Sequence, residues 1–170
     1  DKVFIGGALA NLFFQRLGYE IGKSFIDPHP PSVTALLKSP KVILPADVVV
    51  KGASGIEAII KPDGVKPSDT IVDIGPVAVA ELAKYLIKAK TVIWAGPMGV
   101  YELGYKKGTA DLAKILVKSR AKTVVGGGDI VAVIESLGLR KKFFFVSTGG
   151  GAMLQFLATS TLPGLEALKS

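Results

Sequence analysis

The sequence predicts an open α/β fold: a doubly wound, mostly parallel sheet with helices on both faces, in a Rossmann-like three-layer α/β/α arrangement. Short β-branched runs alternate with helical patterns along the 170 residues. These runs are nearly continuous in apolar residues, which is typical of strands buried on both faces. Glycines follow most of them. A repeated strand-then-helix order implies parallel pairing through right-handed crossovers.

Six strands and six helices are predicted. The strands are Val3–Ile5, Lys41–Leu44, Thr70–Ile74, Thr91–Trp94, Thr123–Val125 and Phe143–Val146. The helices are Ala8–Leu17, Ser32–Leu37, Val77–Ala89, Gly108–Lys118, Ile130–Leu137 and Ala152–Ala158. Residues 46–68 are rich in glycine and proline, so we interpret them as an irregular excursion, with room for a small hairpin, rather than a domain boundary.

Composition narrows the classes of function. Hydrophobic residues make up 49 % of the chain, enough to bury a core, and the length suits one domain. The chain has no cysteine, which excludes disulfides and thiolate metal sites and fits a reducing cytoplasm. The net charge is +7, but the lysines are dispersed and no arginine-rich run occurs. The basic balance therefore favours an anionic ligand over nucleic acid.

The chain has no apolar stretch of about 18 residues, so no membrane span is predicted. No signal peptide is recognisable before the first predicted strand. Because the sequence opens directly on that strand, we expect the natural protein to extend upstream.

Glycine turns follow five of the six predicted strands. They are Gly6-Gly7, Gly75-Pro76, Gly96-Pro97-Met98-Gly99, Gly126-Gly127-Gly128 and Gly149-Gly150-Gly151. The carboxyl ends of parallel strands share one edge of a sheet, and ligands bind in the crevice there. Glycine allows the backbone to approach a phosphate, and the next helix presents free N–H groups and its positive dipole end. The pattern favours a phosphorylated nucleotide, although ordinary tight turns remain an alternative.

Asp129 directly follows the triple glycine. A carboxylate beside a phosphate loop would repel the ligand unless a cation lies between them, and Mg²⁺ commonly binds one or two carboxylates plus phosphate oxygens. The alternative is that Asp129 caps the next helix, and both roles can hold together. Glu102 could accept hydrogen bonds from ribose hydroxyls or be a solvated surface residue. Asp73, at a strand end, is expected to bond nearby backbone N–H groups.

Other chemistries are disfavoured. His29, the only histidine, is flanked by prolines and is interpreted as a surface residue, and the Gly-x-Ser-x-Gly turn of serine hydrolases is absent. The Gly-x-Gly-x-x-Gly pattern of dinucleotide dehydrogenases does not open the first helix. The large apolar residues of these segments are interpreted as core: Trp94, Met98 and Phe143-Phe144-Phe145.

Seven motifs resemble those of phosphoglycerate kinases, and they occur in family order over essentially the whole chain. Residues 5–10 (IGGALA) resemble "IGGAMA", residues 18–24 (GYEIGKS) are the same as the family's, and residues 44–50 (LPADVVV) resemble "LPVDVVV". Residues 92–102 (VIWAGPMGVYE) resemble "VWNGPMGVFE", and residues 124–129 are "VVGGGD". Residues 146–152 (VSTGGGA) resemble "HVSTGGGAS", and residues 162–168 (LPGLEAL) resemble "LPGVEAL".

The resemblance implies a glycolytic kinase that transfers a phosphoryl group between 1,3-bisphosphoglycerate and ADP with Mg²⁺ in the cytoplasm. Residues 1–170 would be most of its nucleotide-binding C-terminal domain. The N-terminal domain, which binds 3-phosphoglycerate or 1,3-bisphosphoglycerate, and the first segment of the C-terminal domain are expected to be absent, so the isolated chain would be inactive. ADP or ATP is the expected ligand and a monomer the expected state, with neither nucleic acid nor membrane as partner. A non-catalytic nucleotide-binding or structural remnant of this fold is the alternative.

The resemblance also implies roles for single residues. Gly6, Gly7, Phe25 and Val72 would border the adenine, and Pro97, Val100 and Glu102 would line the adenine and ribose. Gly128 and Asp129 would face the phosphates and Mg²⁺, and the N–H groups of Gly149, Gly150 and Gly151 would stabilise the transferring phosphoryl group. Four residues depart from the family's motifs, and the first three of them are expected to affect nucleotide affinity: Ile71, Ala95, Ile130 and Phe145.

Overall fold

The computed structural model describes residues 1–168, in which strands and helices alternate as the apolar patterns predict. The strands are β1 (Val3–Phe4), β2 (Val42–Ile43), β3 (Val48–Lys51), β4 (Glu57–Ile60), β5 (Thr70–Ile74), β6 (Thr91–Ala95), β7 (Lys122–Gly126) and β8 (Phe145–Ser147). The helices are α1 (Gly7–Arg16), α2 (Thr34–Leu37), α3 (Pro76–Leu86), α4 (Lys107–Leu116), α5 (Gly128–Ser136), α6 (Gly150–Thr159) and α7 (Pro163–Ala167). None of the helices in this described part is long and apolar enough to span a bilayer.

The strands form three small sheets. β1 pairs with β2 in parallel, and β6, β7 and β8 form a parallel sheet in that order. The third sheet is antiparallel and has β3 at its centre, between β4 and β5. The α/β class with mostly parallel pairing is confirmed. The antiparallel pairing of β5 differs from the pairing expected of a simple strand–helix repeat.

The antiparallel sheet arises from the segment interpreted as an excursion. The N–H of Gly55 donates to the carbonyl of Gly52 at 2.9 Å, and Gly55 has φ +81°, so the chain reverses within a few residues. β3 and β4 therefore pair as the small hairpin that the sequence allowed for. β3 then presents its free edge to β5.

The chain divides into two compact units. The first contains residues 1–85 and 97–112, and the second contains residues 86–96 and those from 113 onward. The core of the first unit is built from apolar residues of α1, β3, β5 and their connections: Ile5, Ala10, Leu12, Phe13, Phe14, Ile21, Val33, Val48, Val50, Val65 and Ile71. In the second unit α5 buries one apolar face, formed by Ile130, Val131, Val133 and Ile134.

The predicted core aromatics are only partly confirmed. Trp94, Met98 and Phe143 are buried, as expected. The prediction was wrong for Phe144 and Phe145, whose side chains are 68 % and 57 % exposed. Among the described strands, β8 pairs only with β7, so its other edge and the residue before it are left uncovered within their unit. His29 is exposed, as predicted.

Candidate functional site

In the first unit, the turn that opens α1 packs directly on the Gly-Pro-Met segment. Gly7 has φ +59°, and a Cβ built there would lie 2.8 Å from the carbonyl oxygen of Pro97. A Cβ on Gly6 would lie 2.5 Å from the sulfur of Met98. A side chain at either glycine would push these two segments apart. The structure therefore brings Gly6, Gly7 and Pro97 together.

The same segment is held by two further hydrogen bonds. The N–H of Val100 donates to the carbonyl of Val72 at 2.8 Å. The N–H of Met98 donates to the buried hydroxyl of Thr109 at 2.9 Å. Val72 is buried in β5 and Val100 is half-buried, whereas Glu102 is exposed in a short 3₁₀ turn. Val72 and Val100 are thus brought together through their backbones.

Phe25 lies on the segment between α1 and α2. Its side chain is 64 % exposed. Its carbonyl accepts a hydrogen bond of 3.0 Å from the side-chain amide of Asn11, which is buried in α1. The described contacts connect Phe25 to α1 through this amide.

A buried aspartate holds the start of α3. The two carboxylate oxygens of Asp47 accept hydrogen bonds from the N–H groups of Val77 at 3.0 Å and Ala78 at 2.7 Å. A Cβ on Gly75 would overlap this carboxylate, so the glycine is required by the cap. Sequence reasoning missed Asp47. The available signal was a Gly-Pro turn opening a helix that lacks a polar cap of its own.

A second buried aspartate holds the start of α4. One oxygen of Asp73 accepts a hydrogen bond from the N–H of Gly108, and the other accepts one from the N–H of Ile74, both at 2.9 Å. The predicted structural role of Asp73 is confirmed. Burial raises the pKa of Asp73 above its ordinary value, and the two N–H donors oppose this shift.

The raised pKa of Asp73 predicts an unusual pH dependence of stability. Between the unfolded value, near 3.8, and the higher folded value, the folded protein binds more protons at this group than the unfolded chain does. The contribution of Asp73 to the free energy of unfolding therefore falls as pH rises through this window. In urea unfolding from about pH 4 to 7, we expect the difference between wild type and Asp73→Asn to fall with pH, because asparagine does not titrate.

The control for this experiment is Asp63→Asn, which removes an exposed carboxylate of the same unit. Because Asp73 is intact in this variant, its contribution to the free energy of unfolding should fall with pH as it does in wild type. A difference between wild type and Asp73→Asn that stays constant across the range would contradict the predicted role of the Asp73 carboxyl group.

A cavity of about 410 Å³ adjoins Asp73 in the first unit. Its wall includes Glu57 from β4 and Tyr105, whose hydroxyl donates a hydrogen bond to the Glu57 carboxylate at 2.8 Å. That hydrogen bond raises the pKa of Tyr105. None of the predicted nucleotide-binding residues lines this cavity.

In the second unit, three strand ends lie side by side. Ala95, Gly126 and Ser147 are neighbours in the parallel register of β6, β7 and β8. The N–H of Gly127 donates to the carbonyl of Ser147 at 3.1 Å, and the indole N–H of Trp94 donates to the carbonyl of Gly96 at 3.1 Å. The glycine turns that follow these strands therefore lie together at one edge of the sheet.

The helices that follow two of these turns begin in contact with each other. A Cβ on Gly150 would lie 2.9 Å from both the Cα and the nitrogen of Gly127. Gly127 precedes α5, Gly149 precedes α6, and no side chain caps either helix. The first-turn N–H groups and positive dipole ends of two helices are thus close together, an arrangement that suits an anion.

Asp129 lies in the first turn of α5 and is half-buried. The residue at the N-terminal cap is Gly127, so Asp129 does not cap the helix in the way the alternative reading expected. The structure places Gly128 and Asp129 in the same unit as Gly149, Gly150 and Gly151. Within residues 1–168, no group of three or more acidic, histidine or cysteine side chains is placed to hold a metal ion.

The four departures from the family's motifs have different environments. Ile71 belongs to the hydrophobic core of the first unit, and Ile130 is fully buried in the second. Phe145 opens β8 and is exposed. Ala95 is half-buried at the end of β6, beside Gly126. Of the four, Ala95 is therefore the one at the edge where the glycine turns meet.

Known proteins resemble this chain in sequence and in structure. The family model for phosphoglycerate kinase matches residues 1–160. Phosphoglycerate kinases of Roseiflexus sp. (strain RS-1) and Herpetosiphon aurantiacus are 38 % and 40 % identical over 178 aligned positions, which cover 99 % of this chain and 45 % of each relative.

Solved structures of phosphoglycerate kinases also resemble the structure of this chain. The kinase of Coxiella burnetii matches with a TM-score of 0.84 at 34 % identity, over 99 % of this chain and 46 % of that one. The kinase of Pyrococcus horikoshii OT3 matches with a TM-score of 0.79 at 30 % identity, over 99 % and 45 %. This chain spans about half the length of the relatives it matches. Since the family model covers nearly all of its residues, the chain belongs to the phosphoglycerate kinase family.

Proposed function

We propose that this chain is the nucleotide-binding half of a phosphoglycerate kinase and that it binds ADP or ATP together with Mg²⁺. The observation that carries the proposal is the glycine-lined contact between the starts of α5 and α6. Two uncapped helix starts in backbone contact offer several N–H donors to one polyanionic group. The absence of a side chain at Gly150 is what permits this contact, because a Cβ there would collide with the backbone of Gly127.

In the proposed function, the starts of α5 and α6 bind the phosphates. The N–H groups of Gly149, Gly150 and Gly151 would stabilise the negative charge of the phosphoryl group during its transfer. The N–H of Gly149 donates to the hydroxyl of Ser147 at 3.2 Å in this structure, so it would exchange that partner for the phosphoryl group. In that transfer, the bond between the acyl oxygen of 1,3-bisphosphoglycerate and phosphorus breaks, and its electron pair stays on the oxygen, which leaves as the carboxylate of 3-phosphoglycerate. A new bond forms from a terminal oxygen of ADP to the same phosphorus. The protein has only to position the two substrates and to stabilise the negative charge of the phosphoryl group. Backbone N–H donors can do the second of these.

The base and ribose are assigned to the start of α1 and to the segments that pack against it. Gly6 and Gly7 leave the backbone free of side chains where α1 begins, and Pro97 packs against them. Val72 and Val100 are joined by a backbone hydrogen bond, and Phe25 offers an exposed ring. Glu102 is exposed on the turn that follows, and its carboxylate can accept hydrogen bonds from ribose hydroxyls.

In this proposal, the carboxylate of Asp129 is the ligand that the protein supplies to Mg²⁺. Mg²⁺ is commonly held by one or two carboxylates, substrate phosphates and water. A single carboxylate in the first turn of α5, with no cluster of acidic partners in the described chain, is consistent with a cation that arrives on the nucleotide. When bound, the cation would neutralise phosphate charge.

Replacing Asp129 by alanine is expected to abolish the Mg²⁺ dependence of ADP binding while the fold survives. The variant loses the proposed metal ligand, but Gly127 still occupies the N-terminal cap of α5. Titration calorimetry with and without Mg²⁺ measures the effect, and circular dichroism checks the fold. Glu135→Ala, which removes an exposed carboxylate near the end of the same helix, is the matched control. Equal Mg²⁺ dependence in wild type and Asp129→Ala would contradict the assignment.

Replacing Ala95 by asparagine is expected to tighten ADP binding about tenfold to a hundredfold. Alanine cannot hydrogen-bond, and an unmade hydrogen bond in a partly buried site costs about 1–3 kcal/mol. Ala95→Val adds similar bulk without the amide and is the control. Calorimetry measures the affinity of each variant for ADP, and only Ala95→Asn is expected to bind ADP more tightly than wild type.

If wild type and Ala95→Asn both fail to bind ADP, the proposed nucleotide site is wrong and the structural-remnant alternative is favoured. Ala95 itself is the observation that favours this alternative, because the strand-end edge carries an apolar residue where the family has an amide. The cytoplasmic location and the monomeric state stay predictions.

A further inference from the structure

We propose that Asn11 is a positioning residue for the nucleotide base: its amide fixes the backbone of Phe25, so that the exposed Phe25 ring forms one wall of the base site. The inference rests on the proposed function and adds a residue that no motif in the sequence indicated.

Asn11 is buried among apolar neighbours. Its side chain is only 4 % exposed, and Ala10 and Leu12 on either side belong to the hydrophobic core. The amide nitrogen donates to the carbonyl of Phe25 at 3.0 Å, but within the described chain the amide oxygen has no hydrogen-bond partner. A buried acceptor without a partner is destabilising, so an apolar residue of similar size would cost the fold less. What the amide provides and an apolar residue could not is the hydrogen bond to the carbonyl of Phe25.

The residues around Phe25 are anchored while its ring is not. The hydroxyl of Ser24 accepts the N–H of Ile71 in β5 at 2.8 Å and donates to the carbonyl of Ile21. Ile26, on the other side, packs against the hydrophobic core. Phe25 is thus held from α1 and, through Ser24, from β5, and its ring remains 64 % exposed. An exposed aromatic ring on a fixed backbone offers a surface for stacking a planar base.

The same helix connects this ring to the glycine turn. Asn11 follows Gly7 by four residues, so the two share one face of α1, and a helical side chain leans towards the start of its helix. Gly7 in turn packs on Pro97. The position of Phe25 is therefore tied by one hydrogen bond to the helix whose first turn lies at the proposed base site.

The test separates recognition of the base from recognition of phosphate. The probes are ADP and inorganic tripolyphosphate, and their affinities are measured by calorimetry for wild type, Asn11→Leu, Phe25→Ala and the double variant. We expect Asn11→Leu and Phe25→Ala each to weaken ADP binding about tenfold, since stacking on an aromatic ring contributes about 1–3 kcal/mol per base. Tripolyphosphate affinity should stay unchanged, because the phosphates are assigned to the starts of α5 and α6.

The double variant should be no weaker than Phe25→Ala, since both changes remove the same wall. Gln15→Leu, an exposed amide on the same helix, is the matched control and should bind ADP as wild type does. Urea unfolding should show Asn11→Leu to be at least as stable as wild type. Phe25→Ala alters an exposed side chain and tests whether the ring forms the wall. If Asn11→Leu fails to fold, Asn11→Ala takes its place in the same comparison, because it also removes the amide that bonds Phe25.

Two results would overturn the inference alone: unchanged ADP binding in Asn11→Leu, or equal losses for ADP and tripolyphosphate, which would indicate a general structural role. A wild-type chain that binds no ADP would overturn the proposed function, and this inference with it.

Discussion

The 170 residues alone are expected to transfer no phosphoryl group at a measurable rate. Phosphoryl transfer depends on holding both substrates in line, and positioning supplies a large part of the rate enhancement. The chain matches 45 % of the length of its relatives, and the proposed function assigns it the nucleotide but no site for the acid. We therefore expect an assay coupled to ATP formation from 1,3-bisphosphoglycerate and ADP to give the background rate.

A full-length relative, such as the kinase of Herpetosiphon aurantiacus, provides the positive control in the same assay. The 170-residue chain should bind ADP under those conditions and still show no turnover. Turnover comparable to that of the full-length relative would show that the acid substrate also binds within these residues, and the division of labour proposed for the chain would be wrong.

Replacing Gly22 by alanine is expected to lower the free energy of unfolding by about 3 kcal/mol or more. Gly22 has φ +57°, a conformation that costs an L-residue about 1–2 kcal/mol. A Cβ there would also overlap the carbonyl oxygen of Asp69 and lie 2.6 Å from that of Lys66. Both contacts are with backbone, which cannot rotate away, and overpacking of this kind typically costs a further 1–3 kcal/mol, to order of magnitude.

Gly18→Ala is the matched control for this prediction. Gly18 also has positive φ, at +85°, but no atom lies within 4 Å of a Cβ built on it. The control should therefore show only the conformational cost, and the difference between the two variants isolates the overlap with Asp69 and Lys66. Urea unfolding of both variants measures this difference. Equal losses of stability in the two variants would contradict the prediction, because they would show that the backbone around Gly22 shifts to accommodate the Cβ at no cost.

Much of the local structure could be predicted because it is encoded in short patterns. Apolar runs gave the positions of β5, β6 and β7 and of the longer helices to within a few residues. The glycine runs indicated turns, and in the second unit those turns do lie along one edge of the sheet. Among the described helices, α7 alone lacked a prediction, although Pro163 at its first position is a usual start signal.

Residues far apart in sequence were harder to connect. Asp47 bonds to the N–H of Ala78, 31 positions away, and nothing near Asp47 indicates which helix it will cap. Phe144 and Phe145 were expected in the core because their type is usually buried, but the sequence does not say which edge of a sheet is left uncovered. Ile71 and Ile130 were recognised as departures from the family's motifs, but the sequence did not indicate that their side chains fill hydrophobic cores.

The sequence by itself determined the family, the α/β class, the order of strands and helices, and the glycine turns, since each is written in contiguous residues. Only the tertiary structure decided that β5 pairs antiparallel with β3, that α5 and α6 begin in contact, and that Asn11 holds Phe25. Local patterns fix the backbone conformation of a few residues at a time. Strand partners, close backbone contacts and buried hydrogen bonds depend on which distant segments share a core, and that is settled only when the whole chain packs.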